Sequence, residues 1–475
     1  MSAHGKRCVF SFVVASFLIG LLGFASRLQA IDFQPLSSEE LKMTSEPKAP
    51  GAPAIILFRE LDRDDSELSA HEDEYVRIKI LTEEGRKYAD VEIPYWKGQL
   101  KITKFHARTI KLDGSILNFD GKPFDKTIVK ARGVKILAKT FTMPEVTVGS
   151  IIEYSYRNEF SSDYVFDSHW IVSDELFTRS AKFSLKPAAS FQLMMRWNQL
   201  PPGVPVDDKH DVHLEVHDVP AFRVEDFMPP ENEMKARVDF TYTRSAEKDS
   251  DKFWNEFGKE SEHWLEVYID KRKAVEQAVA EIVSLGDSTE VKLEKIYARV
   301  QQLRNLTFVE EKTAQEEKRD KDKWPKNVEE VWKLQYGSSV QLNRLFLALA
   351  RAAGIEASDV WVPDRSSYFF NPKLTDGSRL DADVILVKVN GQDLYLDPGT
   401  PFISFGMLPW SETGVSGYKI DKDGGSWVKT TLPKSSQSLT ERKAKFTLTD
   451  TGDLEGRDKH QRGLNFVTHS NDSVL

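Results

Sequence analysis

Cysteine is almost absent from this sequence, whose 475 residues include only one, Cys8. A zinc ribbon, an iron–sulfur cluster and an internal disulfide framework each need several cysteines, so all three are excluded. The GxGxxG and P-loop patterns that bind nucleotide phosphates are also absent. We therefore expect no cofactor.

Positive charge is in deficit as well. The chain has 65 lysines and arginines against 74 aspartates and glutamates, which gives a net charge of −9. Because nucleic acids bind basic surfaces, we expect no nucleic-acid partner. Hydrophobic residues make up 40% of the chain and charged residues 29%, an ordinary globular balance that excludes a multi-span membrane protein. At roughly 150 residues per domain, the length predicts about three domains.

The N-terminus has the features of a secretory signal. Lys6 and Arg7 precede an uncharged, mostly apolar stretch, residues 9–24, which is short for a membrane span. The sequence Leu-Gln-Ala that ends at Ala30 is an acceptable cleavage site. We therefore predict a signal peptide over residues 1–30, export to the periplasm, and no stable membrane span after cleavage.

Cleavage at this site changes both opening counts. It removes Cys8 and three basic residues but no acidic residue, so the mature chain has no thiol and a net charge of −12. An exported protein meets an oxidising environment, yet this one has no disulfide to stabilise it. Its stability must come from the size of its hydrophobic core, which a chain of this length allows.

Residues 31–250 are predicted to form a β-rich, sandwich-like domain. Turn signals at Gly85, Gly114 and Gly203 separate segments of strand character. These segments alternate apolar and polar residues or contain β-branched runs: YVRIKIL, YADVEIPY, ITKFHARTI, IIEYSYRNEF and AKFSLKP. Short strands at this spacing are typical of a β-sandwich.

After about residue 250 the hydrophobic period changes to that of a helix. Residues 271–285 and 289–306 are predicted helices, and a third has a buried face formed by Leu342, Leu345, Phe346 and Leu349. Strand patterns follow at residues 360–362, 384–389 and 393–396, the last two joined across Asn390-Gly391. The fold class is therefore α+β, with a mixed domain over residues 256–430.

Residues 431–475 are predicted to begin a further β domain. Residues 444–449 have a strand pattern, and the polar stretch RDKHQRGLNFVTHSNDSVL follows them. Because the strand pattern gives way abruptly to this tail, we expect the domain to be cut short at Leu475.

Three features of the mixed domain follow one another along the chain in the same order as the catalytic residues of a hydrolase. Ser338 and Ser339 lie in a turn that opens the buried helix, Asp383 begins the first strand of the hairpin, and Asp397 follows the second strand. A nucleophile at a helix N-terminus, a base on a strand and then a carboxylate are the parts of a Cys-His-Asp hydrolase or acyl transferase. Alternatively, the two serines only cap the helix.

The same block resembles a known family. The segments NVEEVWKLQYGSS, LFLALARAAGIEA and ADVILVKVNGQDLYLDPGT resemble a bacterial transglutaminase-like domain. Upstream, KITKFHARTIKLDGSI and TMPEVTVGSIIEYSY resemble the β-rich domain of unknown function that commonly precedes it in exported proteins. The resemblance implies a papain- or transglutaminase-like fold for residues 256–430.

This sequence departs from the family pattern at two of the three catalytic positions. Ser339 stands where active members have cysteine, and Asp383 stands where they have histidine, whereas Asp397 is of the expected type. Serine needs a base more than cysteine does, and an ionised aspartate of ordinary pKa is a poor base. No histidine lies between residues 264 and 459. The resemblance therefore implies a pseudoenzyme, which we expect to bind a peptide, a glycan or another envelope protein.

Two other functions stay open. An acyl transferase or peptidase with a remodelled site would use Ser339 or the pair Asp383 and Asp397. Alternatively, the mixed domain is a structural spacer and the β domain is the working part. The hairpin register bears on the pair, because a two-residue loop places Asp397 opposite Val384, whereas a three-residue loop with a bulge at Gly391 places it opposite Asp383.

Two further groups of side chains are candidate sites. Alternation places Asp211, His213, Glu215 and His217 on one face of a strand, where they form either a zinc site or an ordinary exposed face. The second group either lines a ligand cleft near the hairpin or packs in the core; it comprises Tyr336, Trp361, Arg365, Tyr368 and Trp410.

Overall fold

The computed structural model describes most of the chain after residue 32. The described ranges are residues 33–66, 70–131, 134–160, 167–189, 191–201, 212–243, 249–308, 323–437 and 440–462. The predicted signal peptide, Asp211 and the final residues, 463–475, lie outside these ranges. None of the helices within them combines the length and the apolar character that a membrane span needs.

The first part of the chain, up to Thr243, is built almost entirely of strands, with two short helices, α1 (Ser38–Lys42) and α2 (Glu231–Met234). Its strands are β1 (Ala54–Asp64), β2 (His71–Ile80), β3 (Asp90–Trp96), β4 (Leu100–Ile110), β5 (Ile116–Asn118), β6 (Phe124–Ala131), β7 (Val134–Thr142), β8 (Ile151–Phe160), β9 (Asp167–Ile171), β10 (Thr178–Lys186), β11 (Gln192–Asn198), β12 (Val212–Val219) and β13 (Arg237–Thr243).

These strands form one large and two small sheets. The large sheet has the order β12-β10-β1-β2-β8-β4-β5, and only its β1–β10 pair is parallel. The small sheets have the orders β3-β7-β6 and β11-β13-β9. The predicted alternation is present, because β3 and the first six residues of β12 alternate strictly between exposed and buried residues.

Both small sheets pack against the same face of the large sheet. Ile56 on β1 lies in the apolar cluster shared with β3 and β7, and Leu61 on β1 lies in the cluster shared with β9 and β13. Ile56 pairs with Ile78 and Leu61 pairs with Glu74, and these two β2 residues point to one side of the strand because they are an even number of positions apart. Segment 36–52 covers part of the opposite face, where Lys79 donates to the carbonyls of Leu41 and Gly149 at 2.8 and 2.7 Å.

The second part of the chain is mixed and includes helices α3 (Ser250–Ile269), α4 (Arg272–Ile282), α5 (Thr289–Gln301), α6 (Val328–Leu334) and α7 (Ser339–Ala352). Its strands are β14 (Arg304–Asn305), β15 (Tyr336–Gly337), β16 (Ala357–Val362), β17 (Ala382–Val389), β18 (Gln392–Leu396), β19 (Ser416–Asp421) and β20 (Gly424–Lys429). The last five form a sheet of order β18-β17-β16-β19-β20, and β14 pairs with β15 in parallel. The predicted α+β fold class is therefore confirmed at the level of mixed, strand-rich architecture.

Helix α7 is the centre of the second core. Nine of its fourteen residues are buried, and they pack against α3, α4, α5 and one face of the five-stranded sheet. Ser338 caps its start, since the Ser338 hydroxyl accepts from the Gln341 amide and the Gln341 side chain accepts from the Ser338 amide. Gly354, at φ +80°, follows its end and reverses the chain.

Three sequence-based boundaries were wrong. The helices predicted over residues 271–285 and 289–306 end earlier, at Ile282 and Gln301, because the chain turns after each of them. After the second turn it pairs as β14. The polar stretch that follows residue 449 was interpreted as a tail, but part of it forms a strand. It contributes β22 (Leu454–Arg462), which pairs antiparallel with β21 (Thr440–Leu448).

Helix α3 and strand β20 approach so closely that only glycine fits between them. A Cβ atom added to Gly258 would lie 1.4 Å from the Gly424 carbonyl oxygen. We therefore expect Gly258→Ala to lower the free energy of unfolding by about 3 kcal/mol, measured by urea denaturation. Gly286→Ala is the control, because its added methyl group has no neighbour within 4 Å; equal stability of the two variants would contradict the packing.

Candidate functional site

The hairpin that carries Asp383 and Asp397 has the two-residue loop. Val389 pairs with Gln392 and Ile385 pairs with Leu396, while Asn390 and Gly391 both have positive φ, at 51° and 78°. Asp397 therefore follows at the level of Val384. The alternative register, which sets Asp397 directly opposite Asp383, is not formed.

Asn343 joins the helix to both strands of this hairpin. It lies one turn after Ser339 on α7, and its side-chain amide donates to the Asp383 carbonyl at 2.8 Å and to Asp397 Oδ1 at 2.9 Å. Its Oδ1 accepts from the Gly399 amide at 2.7 Å. Asn343 was not among the sequence candidates, although its polar side chain within a buried helix, beside Leu342, was a usable signal.

Ser339, at the nucleophile position, is bonded to residues that precede the helix. Its amide donates to Thr307 Oγ1 at 3.0 Å, and its hydroxyl accepts from the Asn305 side-chain amide at 3.3 Å. Asn305 also donates to the Gly399 carbonyl at 2.5 Å. Within the described ranges, no hydrogen bond joins Ser339 to Asp383 or Asp397. The serine is therefore fixed at the start of the helix, and neither carboxyl group is placed to accept the proton of its hydroxyl.

Asp383, at the position of the expected histidine, is one of four buried acidic residues in this region. Asp359, Asp383, Asp397 and Glu412 are 1%, 7%, 2% and 8% exposed, and each has one carboxyl oxygen with no hydrogen-bond partner. Arg344, on α7, is the cation that offsets the charge of Asp359 and Asp383. The group was not predicted as such, because Asp359 and Glu412 lie outside the triad positions.

Burial sets the protonation state of these carboxyl groups. It raises the pKa of Asp359 to about 6 and raises the pKa of Asp383 well above its ordinary value, where the charges of Asp359 and Asp397 act in the same direction. Burial also raises the pKa of Asp397, against hydrogen bonds from Thr400 and Asn343, and raises that of Glu412 well above normal. Burial therefore favours the protonated forms of these groups, and a protonated carboxyl group is a poor acceptor for the proton of a serine hydroxyl.

Two of the cleft candidates lie near this region, where Tyr336 is buried and Trp361 is half-buried. Tyr336 donates its hydroxyl to the Lys323 carbonyl at 2.9 Å, and its ring lies 4.8 Å from the Arg304 guanidinium. Trp361 pairs with Asp383 across β16 and β17 and donates its indole N–H to Asp359 at 3.1 Å. Trp361 therefore belongs to the acidic group, whereas Tyr336 packs beside the start of α7.

The other three cleft candidates lie elsewhere. Arg365 donates to the Trp410 carbonyl at 2.7 Å and stacks 5.4 Å from its ring, and Trp410 is 57% exposed. Tyr368 lies between the guanidinium groups of Arg379 and Arg237, at 4.0 and 5.9 Å, so it contacts the first part of the chain. The five candidates do not line one cleft.

The proposed zinc ligands are an exposed strand face. His213, Glu215 and His217 point outward from β12, and the ring of His217 lies 3.4 Å from the Glu215 carboxylate. Among the residues that the structure describes, no group of three or more histidine, cysteine or acidic side chains could hold a metal ion. Asp211, the fourth candidate, lies outside the described residues.

Larger cavities occur in the first part of the chain. Two of about 620 and 740 Å³ lie there, and one of about 160 Å³ lies beside β18 and Leu408. None of these three cavities is lined by Ser339, Asp383 or Asp397.

Comparisons with known proteins were made for the whole chain. Residues 68–223 match the model of a family described as a domain of unknown function with solved structure, DUF3857. A crystal structure titled as a "putative protease" from Parabacteroides distasonis ATCC 8503 is 13% identical, covers 82% of this chain and 77% of that chain, and has a TM-score of 0.55. Yeast LTA4 hydrolase in complex with bestatin is 10% identical, covers 44% of this chain and 33% of that chain, and has a TM-score of only 0.22. No curated protein matches.

These matches confirm the expected resemblance in part. A likeness at 13% identity shows the fold alone, and the DUF3857 match covers a third of the chain. Together they show that residues 68–223 are similar to a domain of unknown function and that most of the chain shares the fold of the crystal structure titled as a putative protease.

The raised pKa of Asp383 predicts a dependence of stability on pH. A carboxyl group whose pKa is higher in the folded state than in the unfolded state favours folding at low pH. This stabilisation is lost as the pH rises through the folded-state pKa; for Asp359 the loss takes place between about pH 4 and about pH 6. Asp383→Asn removes one of these groups, so we expect its Tm to exceed that of the wild type by about 3 °C at pH 8 and by less at pH 4.5. Asp393→Asn, on the exposed part of the same hairpin, is the control. The same difference in Tm between Asp383→Asn and the wild type at pH 8 and at pH 4.5 would contradict a raised pKa for Asp383.

Asn343 is predicted to stabilise the junction of α7 and the hairpin. Asn343→Ala leaves the buried Asp397 carboxyl and the Gly399 amide without this partner, so we expect a loss of about 2–4 kcal/mol in the free energy of unfolding. Urea denaturation measures this loss, with the exposed Asn371→Ala as the matched control. A loss below about 1 kcal/mol would show that the amide does not hold the junction.

Proposed function

We propose that this chain is an exported, non-catalytic transglutaminase-like protein that acts by binding a peptide, a glycan or another envelope protein. The proposal is carried by one observation. The two positions that resemble the family's nucleophile and base hold Ser339 and a buried Asp383, and no hydrogen bond connects them within the described residues.

The serine alternative lacks a base. A serine hydroxyl must transfer its proton to an acceptor as it attacks a carbonyl carbon. The described partner of the Ser339 hydroxyl is the side-chain amide of Asn305, which donates a hydrogen bond and accepts no proton. The carboxyl group of Asp383 is buried, and its raised pKa favours the protonated form.

In the alternative that uses Asp383 and Asp397 as a pair, the two carboxyl groups are of the right type for acid–base catalysis, but a substrate cannot reach them. The charges of Asp359 and Asp397 both raise the pKa of Asp383, as one carboxylate does to its partner in the paired carboxyl groups of acid–base enzymes. Their side chains are almost fully buried, however, and neither lines any of the three cavities described above. A general acid or base must reach its substrate directly or through one water molecule.

The sizes and positions of the cavities agree best with a binding role for the β-rich first part of the chain and a scaffold role for the mixed second part. The two cavities of the first part, about 620 and 740 Å³, fall in the size range of ligand sites, whereas the one beside β18 is about 160 Å³. This difference supports the alternative in which the first part is the working part. Export rests on the signal sequence predicted over residues 1–30.

An activity assay tests the proposal. We expect the purified protein neither to join a fluorescent amine to glutamine side chains nor to hydrolyse a peptide above the rate without enzyme, and we expect Ser339→Ala to change nothing. Activity that is abolished by Ser339→Ala but kept in Ser366→Ala, an exposed serine, would establish a serine nucleophile. Activity that is abolished by both Asp383→Asn and Asp397→Asn would establish the carboxylate site instead.

A further inference from the structure

A polar group interrupts the apolar inner face of the large sheet. Arg59 on β1 forms an ion pair with Glu74 on β2 at 2.8 Å, and the Tyr156 hydroxyl on β8 donates to the same carboxylate. Apolar clusters lie on either side, one under each small sheet. A charged pair at this point is tolerated only if it is well paired or close to solvent.

A cavity of about 620 Å³ lies directly over this ion pair, in the gap between the two small sheets. We call it the inter-sheet cleft. Its floor is the large sheet, one wall is β3, and the other wall is formed by residues 173–176, which follow β9, together with Phe222 and Lys235. The Tyr154 and Tyr156 rings lie parallel on the floor, with centroids 6.5 Å apart.

Strand β3 lines the cleft with an unpaired edge. It has one hydrogen-bonded neighbour among the described strands, β7, and residues 90–94 line the cavity. Proline within a strand is confined to edge strands with its nitrogen on the side away from the ladder, so Pro94 places the backbone of Glu92, two residues earlier, on the open side. The Glu92 N–H and C=O are therefore oriented to pair with an added strand.

Charge in the cleft favours a cation. Arg59 and Lys235 are the basic lining residues, against five acidic ones: Glu74, Asp90, Glu92, Asp174 and Glu175. The faces of tyrosine rings add a further attraction for a lysine or arginine side chain. The 740 Å³ cavity shares five lining residues with the cleft, including Tyr88 and Phe222, so together they provide room for several residues of an extended chain.

We infer that the inter-sheet cleft binds an extended peptide segment that adds a strand along β3 and places a lysine or arginine side chain over the tyrosines of the floor. The inference rests on the proposed binding function and assigns it a partner class and a site. A peptide is favoured over a glycan because an unpaired strand edge presents N–H and C=O groups at the spacing of another peptide backbone.

Peptide binding to the purified chain tests this inference. The probes are two fluorescein-labelled, N-acetylated pentapeptides, Thr-Val-Lys-Val-Thr and Thr-Val-Glu-Val-Thr, measured by fluorescence anisotropy. We expect the lysine peptide to bind about tenfold more tightly than the glutamate peptide, with a preference that falls as salt is added. Equal affinity, or binding of cellohexaose with no binding of either peptide, would overturn the inference.

Strand addition has its own signature. In an added strand, every second residue directs its N–H group toward β3. N-methylation of these residues should weaken binding by about tenfold, whereas N-methylation of the residues between them should not. Equal effects of the two sets would exclude pairing with β3.

Two variants locate the site. Asp174→Asn removes a charge from the cleft and keeps the oxygen that accepts from the Leu176 amide, so we expect lysine-peptide binding to weaken about threefold. Glu215→Gln makes the same change of charge on the outer face of β12 and should leave binding unchanged. Equal weakening in both variants would place the peptide elsewhere. Acyl-transfer activity in the assay above would overturn the non-catalytic assignment but leave these binding results unaffected.

Discussion

The side chain of Asn343 is the constraint on which the second core depends. One amide group fixes α7 against β17 and against the turn that follows β18, through Asp383, Asp397 and Gly399. Gly399 must lack a side chain, because an added Cβ would lie 2.4 Å from the Ser339 carbonyl oxygen and 2.8 Å from Asn343 Oδ1. The junction of α7 with the hairpin is thus held by hydrogen bonds and by close packing.

Buried acidic residues lie beside this junction, and their protonation decides how well the core accommodates them. Asp383 puts a second carboxyl group near Asp397, and burial favours the neutral form of both. A neutral carboxyl group is tolerated in a core far better than an isolated charge. Arg344 balances part of the charge that remains.

The sequence was most informative where a pattern is local. Alternation in β12, the Asn390-Gly391 turn and the apolar face of α7 all follow from neighbouring residues, and all are present in the structure. The acidic group was not foreseeable in the same way, because Asp359, Asp383 and Glu412 come from separate segments and meet only when the sheet forms. The ion pair of Arg59 and Glu74 likewise has no signature in either strand. The domain boundaries, the signal peptide and the site assignments remain predictions.

The one parallel pair of the large sheet has a consequence for how the chain folds. Strands β1 and β10 are joined by contacts between residues 122 positions apart, such as Asp62 with Ser184. Of the strands between them in the chain, β2, β8, β4 and β5 complete one side of the large sheet, β3, β6 and β7 form one small sheet, and β9 belongs to the other small sheet. Closing so long a loop makes this a late and slow step, since non-local pairing is entropically costly until many contacts form together. Until then the edge of β1 stays open to intermolecular pairing. Refolding of the first part should therefore be limited by the arrival of β10, and aggregation should compete with that step.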